Sequence, residues 1–190
     1  PWFDHNGPRA SFDQHKGVDR MATRATCAQV LMAIRQGLFS TFLNDYTHKV
    51  HVFVSDCDED VCTAVYLLKH GRQAENVLNE RINYLVSAED VLDCTAGAYP
   101  FPKTLKELKK LAWIFQPYKQ FRISGNIDDK DSYEYENIIE QVGDRILQYV
   151  HGNSKEIEVD YRYELLHKEG KFALIKEIGS HNRKSVVVGK

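Results

Sequence analysis

The sequence has no long apolar run, no paired-cysteine motif and no strong net charge. No apolar stretch approaches the roughly 18 residues that a membrane-spanning helix needs, and nothing in the chain resembles a signal peptide, so we expect a soluble protein. The 25 basic and 27 acidic residues leave a net charge of −2. This balance excludes a global attraction to nucleic acid or to an anionic membrane, and any site for a polyanion must be local.

The four cysteines give no sign of disulfides or of a structural zinc site. Cys27, Cys57, Cys62 and Cys94 stand singly, without C-x-x-C spacing. A chain of 190 residues with 43% hydrophobic and 27% charged residues can form a core without disulfides. We therefore expect reduced thiols and a cytoplasmic globular protein. The chain opens without methionine and closes on a short valine run, so we also expect it to be trimmed.

Hydrophobic periodicity predicts helices separated by short strands. Residues 49–55 form a short β-branched run, which predicts a strand that leads through an acidic loop into a helix over residues 60–70. This strand, loop and helix are typical of an α/β unit. Alternating apolar residues after Asn153 predict a hairpin-rich tail. We expect an α/β fold with a mostly parallel sheet flanked by helices in residues 1–153, and a small β-rich region in residues 154–190. The remaining predicted helices cover residues 22–42, 82–92, 105–115 and 132–150.

An acidic turn is the strongest candidate for chemistry. Asp56, Asp58 and Asp60 alternate directly after the predicted strand and before the predicted helix. Carboxylates with this spacing at a strand end can converge on a hard divalent cation, since Mg²⁺ and Mn²⁺ prefer oxygen ligands. The alternative is a solvated acidic loop in which Asp60 caps the helix at Val61.

Two further segments could supply metal ligands. Asp4 and His5 stand side by side, and a carboxylate beside a histidine can orient the ring of a metal-binding imidazole. Asp90 and Asp93 lie one helical turn apart in a segment whose other residues look buried. We prefer Asp90 as the ligand, because Asp93 is closer to the helix end. The alternatives are a capped turn near the terminus and ordinary surface charge on the helix.

A cluster in the tail could hold a phosphate. His181, Asn182 and Arg183 follow a glycine and a serine and precede a lysine. Backbone amides and a guanidinium group can together donate hydrogen bonds to the oxygens of a phosphate. A polar hairpin turn has the same composition, so this substrate-binding site stays one of two interpretations.

The acidic turn and the Asp-His-Asn run together resemble the DHH phosphoesterase superfamily. The first motif of that family is D-x-D-x-D with a small residue and Ser or Thr in the next helix, and it is similar to Asp56-Cys57-Asp58-Glu59-Asp60 with Thr63. The motif that names the family, Asp-His-His, resembles Asp4-His5-Asn6, where Asn6 replaces the second histidine. The two motifs stand in the reverse of the family's order, which is the arrangement of a diverged or permuted member.

The resemblance implies hydrolysis of a phosphoester bond by water that a divalent metal activates. His5 would bind metal with Asp4 beside it, and Asn6 would meet the scissile phosphate. The cofactor would be Mn²⁺ or Mg²⁺, and the substrate a small phosphorylated molecule or a short oligonucleotide, since the net charge is close to zero. The predicted catalytic residues are Asp58, His5 and Asn6, and the predicted metal ligands are Asp4, His5, Asp56, Asp58, Asp60 and Asp90.

Two other functions stay open from the residues. An apolar strand ending in Asp-x-Asp also begins the nucleophile motif of haloacid-dehalogenase-like phosphatases, in which Asp56 would form a covalent phosphate adduct. Alternatively, the chain is a non-catalytic module that binds a nucleotide or a protein partner on the same fold.

Overall fold

The fold is mostly helical, and this corrects the α/β prediction. The computed structural model describes residues 2–4, 9–19, 22–42, 50–95, 97, 101–102, 104–129, 131–159, 163–170, 172–177 and 185–189. The helices are α1 (Thr26–Arg35), α2 (Leu38–Phe42), α3 (Glu59–Lys69), α4 (Gly71–Glu75), α5 (Glu80–Cys94), α6 (Lys106–Ile114), α7 (Gln116–Ser124) and α8 (Ser132–Val150), with a 3₁₀ turn at Asn126–Asp129.

The strands form two small antiparallel sheets, and no parallel pair occurs among the described residues. Strands β1 (Trp2–Asp4) and β2 (Arg9–Ser11) pair with each other. Strands β3 (Tyr163–Glu169), β4 (Phe172–Glu177) and β5 (Ser185–Gly189) form a three-stranded sheet in that order, inside the β-rich region expected after residue 153.

The predicted strand before the acidic turn is absent. Residues 50–54 have no ladder partner among the described residues, and their apolar side chains face outward, with Phe53 92% exposed. The β-branched run satisfies the local preference for extended backbone, but a strand forms only where a second strand supplies hydrogen bonds. Without that pairing, no parallel sheet can be built around this segment.

Helix α3 is the central element of the fold. One side, including Cys62, Val65 and Tyr66, packs with α5, α6, α7 and α8, and the other side, including Ala64 and Leu67, packs with α1, α4 and α5. The helix is apolar around most of its circumference, so it can be buried on both sides. Its N-terminal turn, which carries the acidic residues, therefore lies where the two parts of the core meet.

Helix α7 begins where a loop was expected. Pro117 lies in the first turn of α7, a position at which the missing N–H has no intrahelical partner to lose. Gly125 ends the helix with φ +86°, the left-handed conformation that glycine adopts without strain. The sequence predicted no helix between residues 115 and 132, so α7 adds an element to those predicted.

None of the described helices is both long enough and apolar enough to cross a bilayer. All four cysteines lie in described segments as free thiols, and Cys27, Cys57 and Cys62 are buried.

Candidate functional site

The acidic turn forms the N-terminus of α3, and Asp58 is its cap. The Asp58 Oδ1 atom accepts a hydrogen bond from the Val61 N–H at 2.8 Å. Asp56 lies just before it, half-buried, and its Oδ1 accepts from the Cys57 N–H at 2.6 Å. The capping role that was considered for Asp60 therefore belongs to Asp58, two residues earlier.

Asp60 holds the start of α1 instead. Its side chain is 3% exposed, and its Oδ1 accepts from the Cys27 N–H at 2.7 Å. Its Oδ2 accepts from the Thr26 N–H at 2.9 Å and from the Gln14 Nε2 at 3.0 Å. Both carboxylate oxygens are thus occupied by donors from the protein, and the negative charge lies at the positive end of the α1 dipole.

Asp90 performs the same task from α5. Its Oδ1 accepts from the Ala25 N–H at 2.7 Å, and its Oδ2 lies 3.4 Å from the Arg24 Nη1. The residue at the N-cap of α1 is Ala25, which has no side-chain acceptor. The N–H groups of Ala25, Thr26 and Cys27 at the start of α1 are therefore satisfied by two aspartates from other helices.

Two half-buried carboxyl groups of the acidic turn have raised pKa values. Burial, then repulsion from Asp58, raises the pKa of Glu59 to about 7, although the Arg122 guanidinium of α7 opposes part of this effect. Burial raises the pKa of Asp58 to about 6, with repulsion from Asp56, Asp60 and other carboxylates adding to it. With these pKa values, both groups can take up or release a proton near neutral pH.

Glu89 of α5 belongs to the same group and was not predicted. Its side chain is 3% exposed, and burial, then repulsion from Glu59, Asp60 and Asp58, raises its pKa well above its usual range. The sequence contains a signal for it, because Glu89 continues the spacing of the buried apolar residues Ile82, Leu85 and Val86. An acidic residue on the apolar face of a helix is a stronger sign of a buried site than an acidic residue on the exposed face.

We call Asp56, Asp58, Glu59, Glu89 and Asp93 the carboxylate cluster, because repulsion within this set raises the pKa of three members. The Tyr118 hydroxyl of α7 lies in the same electrostatic environment. Burial, then repulsion from Glu59 and Asp58, raises the pKa of Tyr118 above its usual range. The cluster concentrates negative charge at one end of α3, which favours a cation there.

The other predicted site residues divide into two groups. Asp4 lies in β1, opposite Arg9 in the ladder. His5, Asn6, His181, Asn182 and Arg183 lie outside the described residues. Within the described part of the chain, no three His, Cys, Asp or Glu side chains are arranged to hold a metal ion.

Comparison of the chain with protein-family models, with curated proteins and with solved structures finds no match.

Proposed function

We propose that this chain is a metal-dependent phosphoesterase that hydrolyses a small phosphorylated molecule or a short oligonucleotide in the cytoplasm. The carboxylate cluster at the N-terminus of α3 is the observation that supports it. Five acidic side chains share this region, and the Arg122 guanidinium opposes the rise in the pKa of Glu59. A divalent cation would relieve this repulsion.

The donor chemistry of the cluster fits Mg²⁺ or Mn²⁺. Mg²⁺ is commonly held by one or two carboxylates while water and substrate phosphate complete its shell. Asp56 and Asp58 each keep one carboxylate oxygen without a hydrogen bond to another described residue, so they would hold the ion. Asp60 and Asp90 contribute less, since their oxygens already accept protein N–H groups. When bound, the ion would supply an activated water and stabilise charge on the phosphate.

The residues around the ion have separate tasks in this proposal. Glu59, with a pKa of about 7, would hold or release a proton near neutral pH. Arg122 would attract the phosphate group of the substrate, because a guanidinium donates paired hydrogen bonds to phosphate oxygens. Free thiols at all four cysteines suit the reducing cytoplasm.

A non-catalytic module is the second candidate. The use of Asp60 and Asp90 as caps for α1 favours it, because two of the expected ligands serve the fold. Such a module would bind a cation or a nucleotide without turnover. A haloacid-dehalogenase-like mechanism has less support, since its motif begins with an apolar strand that ends in Asp-x-Asp and residues 50–54 form no strand.

The proposal predicts that Asp58→Asn lowers phosphoester hydrolysis by about 100-fold or more, because the amide no longer carries the charge that holds the metal. The measurement is the release of nitrophenol from p-nitrophenyl phosphate and bis(p-nitrophenyl) phosphate with Mn²⁺ present. Asp129→Asn, at an exposed site on the 3₁₀ turn, is the matched control and should keep the wild-type rate. Equal rates for wild type and Asp58→Asn would contradict the proposal, and metal binding without hydrolysis would favour the module.

A further inference from the structure

Residues 50–54, directly before the acidic turn, form an exposed apolar run. Val50 is 53% exposed, Val52 is 43% exposed, Phe53 is 92% exposed and Val54 is 42% exposed. Single exposed apolar side chains are common on protein surfaces, whereas a continuous apolar patch marks a surface that binds another molecule. We call residues 50–54 the apolar segment.

The backbone of the apolar segment can accept a further strand. In the part of the chain that the structure describes, none of its N–H and C=O groups forms a hydrogen bond with another backbone group. Valine and phenylalanine favour extended backbone, and an extended segment with open hydrogen-bonding groups is a template for a strand from another chain. Addition of a strand would satisfy these groups and cover part of the apolar surface.

The charges at the two ends of the apolar segment select its occupant. Lys49 precedes the segment, whereas Asp56 and Asp58 follow it. A second copy in antiparallel orientation brings the basic end of each segment to the acidic end of the other, so opposite charges meet twice. A parallel copy would bring like charges together, and a peptide of one charge sign would complement one end only. The apolar segment is therefore complementary to its own antiparallel copy.

We infer that two copies of this chain associate through the apolar segment, as an antiparallel strand pair about a two-fold axis at Val52. In this register Val50 lies opposite Val54 of the second copy, His51 lies opposite its Phe53, and the two Val52 residues lie opposite each other. Each valine of the segment thus faces a valine. The inference goes beyond the proposed hydrolysis and does not depend on it, because no residue of the carboxylate cluster belongs to the segment.

Sedimentation equilibrium in metal-free buffer tests the inference. We expect a monomer–dimer equilibrium with a dissociation constant of about 100 µM or below, which is weak because five paired residues on each copy form a small interface. A wild-type protein that stays monomeric at about 1 mM would overturn the inference. Growth into species larger than a dimer would overturn it as well, since a two-fold interface closes after two copies.

Two lysine variants locate the interface. Phe53→Lys removes an apolar side chain and brings two like charges close to the axis, so it should raise the dissociation constant at least about tenfold. Leu78→Lys makes a similar change at a site that is 83% exposed and lies outside the apolar segment, and it should dimerise as the wild type does. Both variants should fold normally by circular dichroism, because both side chains are exposed. Equal dissociation constants for wild type and Phe53→Lys would contradict the assignment.

A cysteine variant tests the register. Directly opposite residues of an antiparallel pair have Cα atoms about 4.5–5.5 Å apart, a separation that a disulfide can span. Val52→Cys should therefore give a disulfide-linked dimer when diamide oxidises the two introduced thiols. Val77→Cys, at a 60% exposed site outside the apolar segment, is the matched control and should stay monomeric on a non-reducing gel, as should the wild type. Equal cross-linking of Val52→Cys and Val77→Cys would contradict the register.

Discussion

Asp60→Ala is expected to destabilise the protein by about 3 kcal/mol, the largest loss for any residue of the acidic turn. The substitution leaves the Thr26 and Cys27 N–H groups and the Gln14 side-chain amide without their acceptor. A buried donor that loses its acceptor costs about 1–3 kcal/mol, and relief of the repulsion that Asp60 exerts on Asp58 and Glu89 offsets part of the total. In the part of the chain that the structure describes, no second side chain accepts from these groups, and Ala25 at the N-cap has no side-chain oxygen.

Urea unfolding of Asp60→Ala and Asp58→Ala, at constant pH and without metal, measures this difference. Asp58→Ala removes a single N-cap bond at α3 and should cost about 1 kcal/mol or less. A loss below about 1 kcal/mol for Asp60→Ala would contradict the structural role assigned to this carboxylate. It would instead favour the original expectation that Asp60 is chiefly a metal ligand.

Stability is expected to rise as the pH falls from 8 towards 5 in metal-free buffer. The folded-state pKa values of Asp58 and Glu59, about 6 and about 7, lie above the ordinary values of 3.8 and 4.5. Between the ordinary and the raised values, the folded state binds more protons than the unfolded state, so the free energy of unfolding falls as the pH rises. This stability is fully present below about pH 4 and is lost as the pH rises through 6 and 7.

The size of this effect follows from Glu59. Raising its pKa from 4.5 to about 7 corresponds to about 3 kcal/mol at most, at 1.36 kcal/mol per pKa unit. Urea unfolding at a series of pH values measures this change in stability. Two independent probes check that each transition is two-state. A stability that is flat or rising between pH 5 and pH 8 would contradict the electrostatic description of the cluster.

Glu89→Gln is the matched variant for the same experiment. It replaces a buried carboxyl group with a raised pKa by an amide that does not titrate, and it keeps the size of the side chain. At pH 8 we expect Glu89→Gln to be more stable than wild type by about 1 kcal/mol, and its pH dependence to be shallower. Glu136→Gln, on the exposed surface of α8, should follow the wild-type curve.

The sequence predicted the helices well where one face is buried. The apolar spacing in residues 60–70 and 132–150 matches α3 and α8 within a residue or two. The prediction of a parallel sheet was wrong. The β-branched residues 50–54 favour an extended backbone locally, but they do not show whether a partner strand is present. Helix α7 was missed, because Pro117 both ends a helix and begins one.

The candidate site was predictable in position and not in detail. The D-x-D-x-D run lies at the N-terminal turn of α3, and its use as a metal site stays a prediction. The roles of Asp60 and Asp90 depend on Ala25 at the start of α1, more than 30 residues from Asp60 along the chain. Capping between helices depends on tertiary packing, so no local pattern reveals it. Glu89 was accessible to sequence reasoning, since it interrupts an apolar stripe.

Calorimetric titration of Mn²⁺ into wild type, Asp58→Asn and Asp129→Asn is the most direct test of a metal centre at the acidic turn, because binding precedes any turnover. We expect stoichiometric binding by wild type and Asp129→Asn at neutral pH, and an affinity at least about tenfold lower for Asp58→Asn. Absence of binding by the wild-type protein at millimolar Mn²⁺, or equal affinity for Asp58→Asn, would contradict a metal centre at the N-terminus of α3.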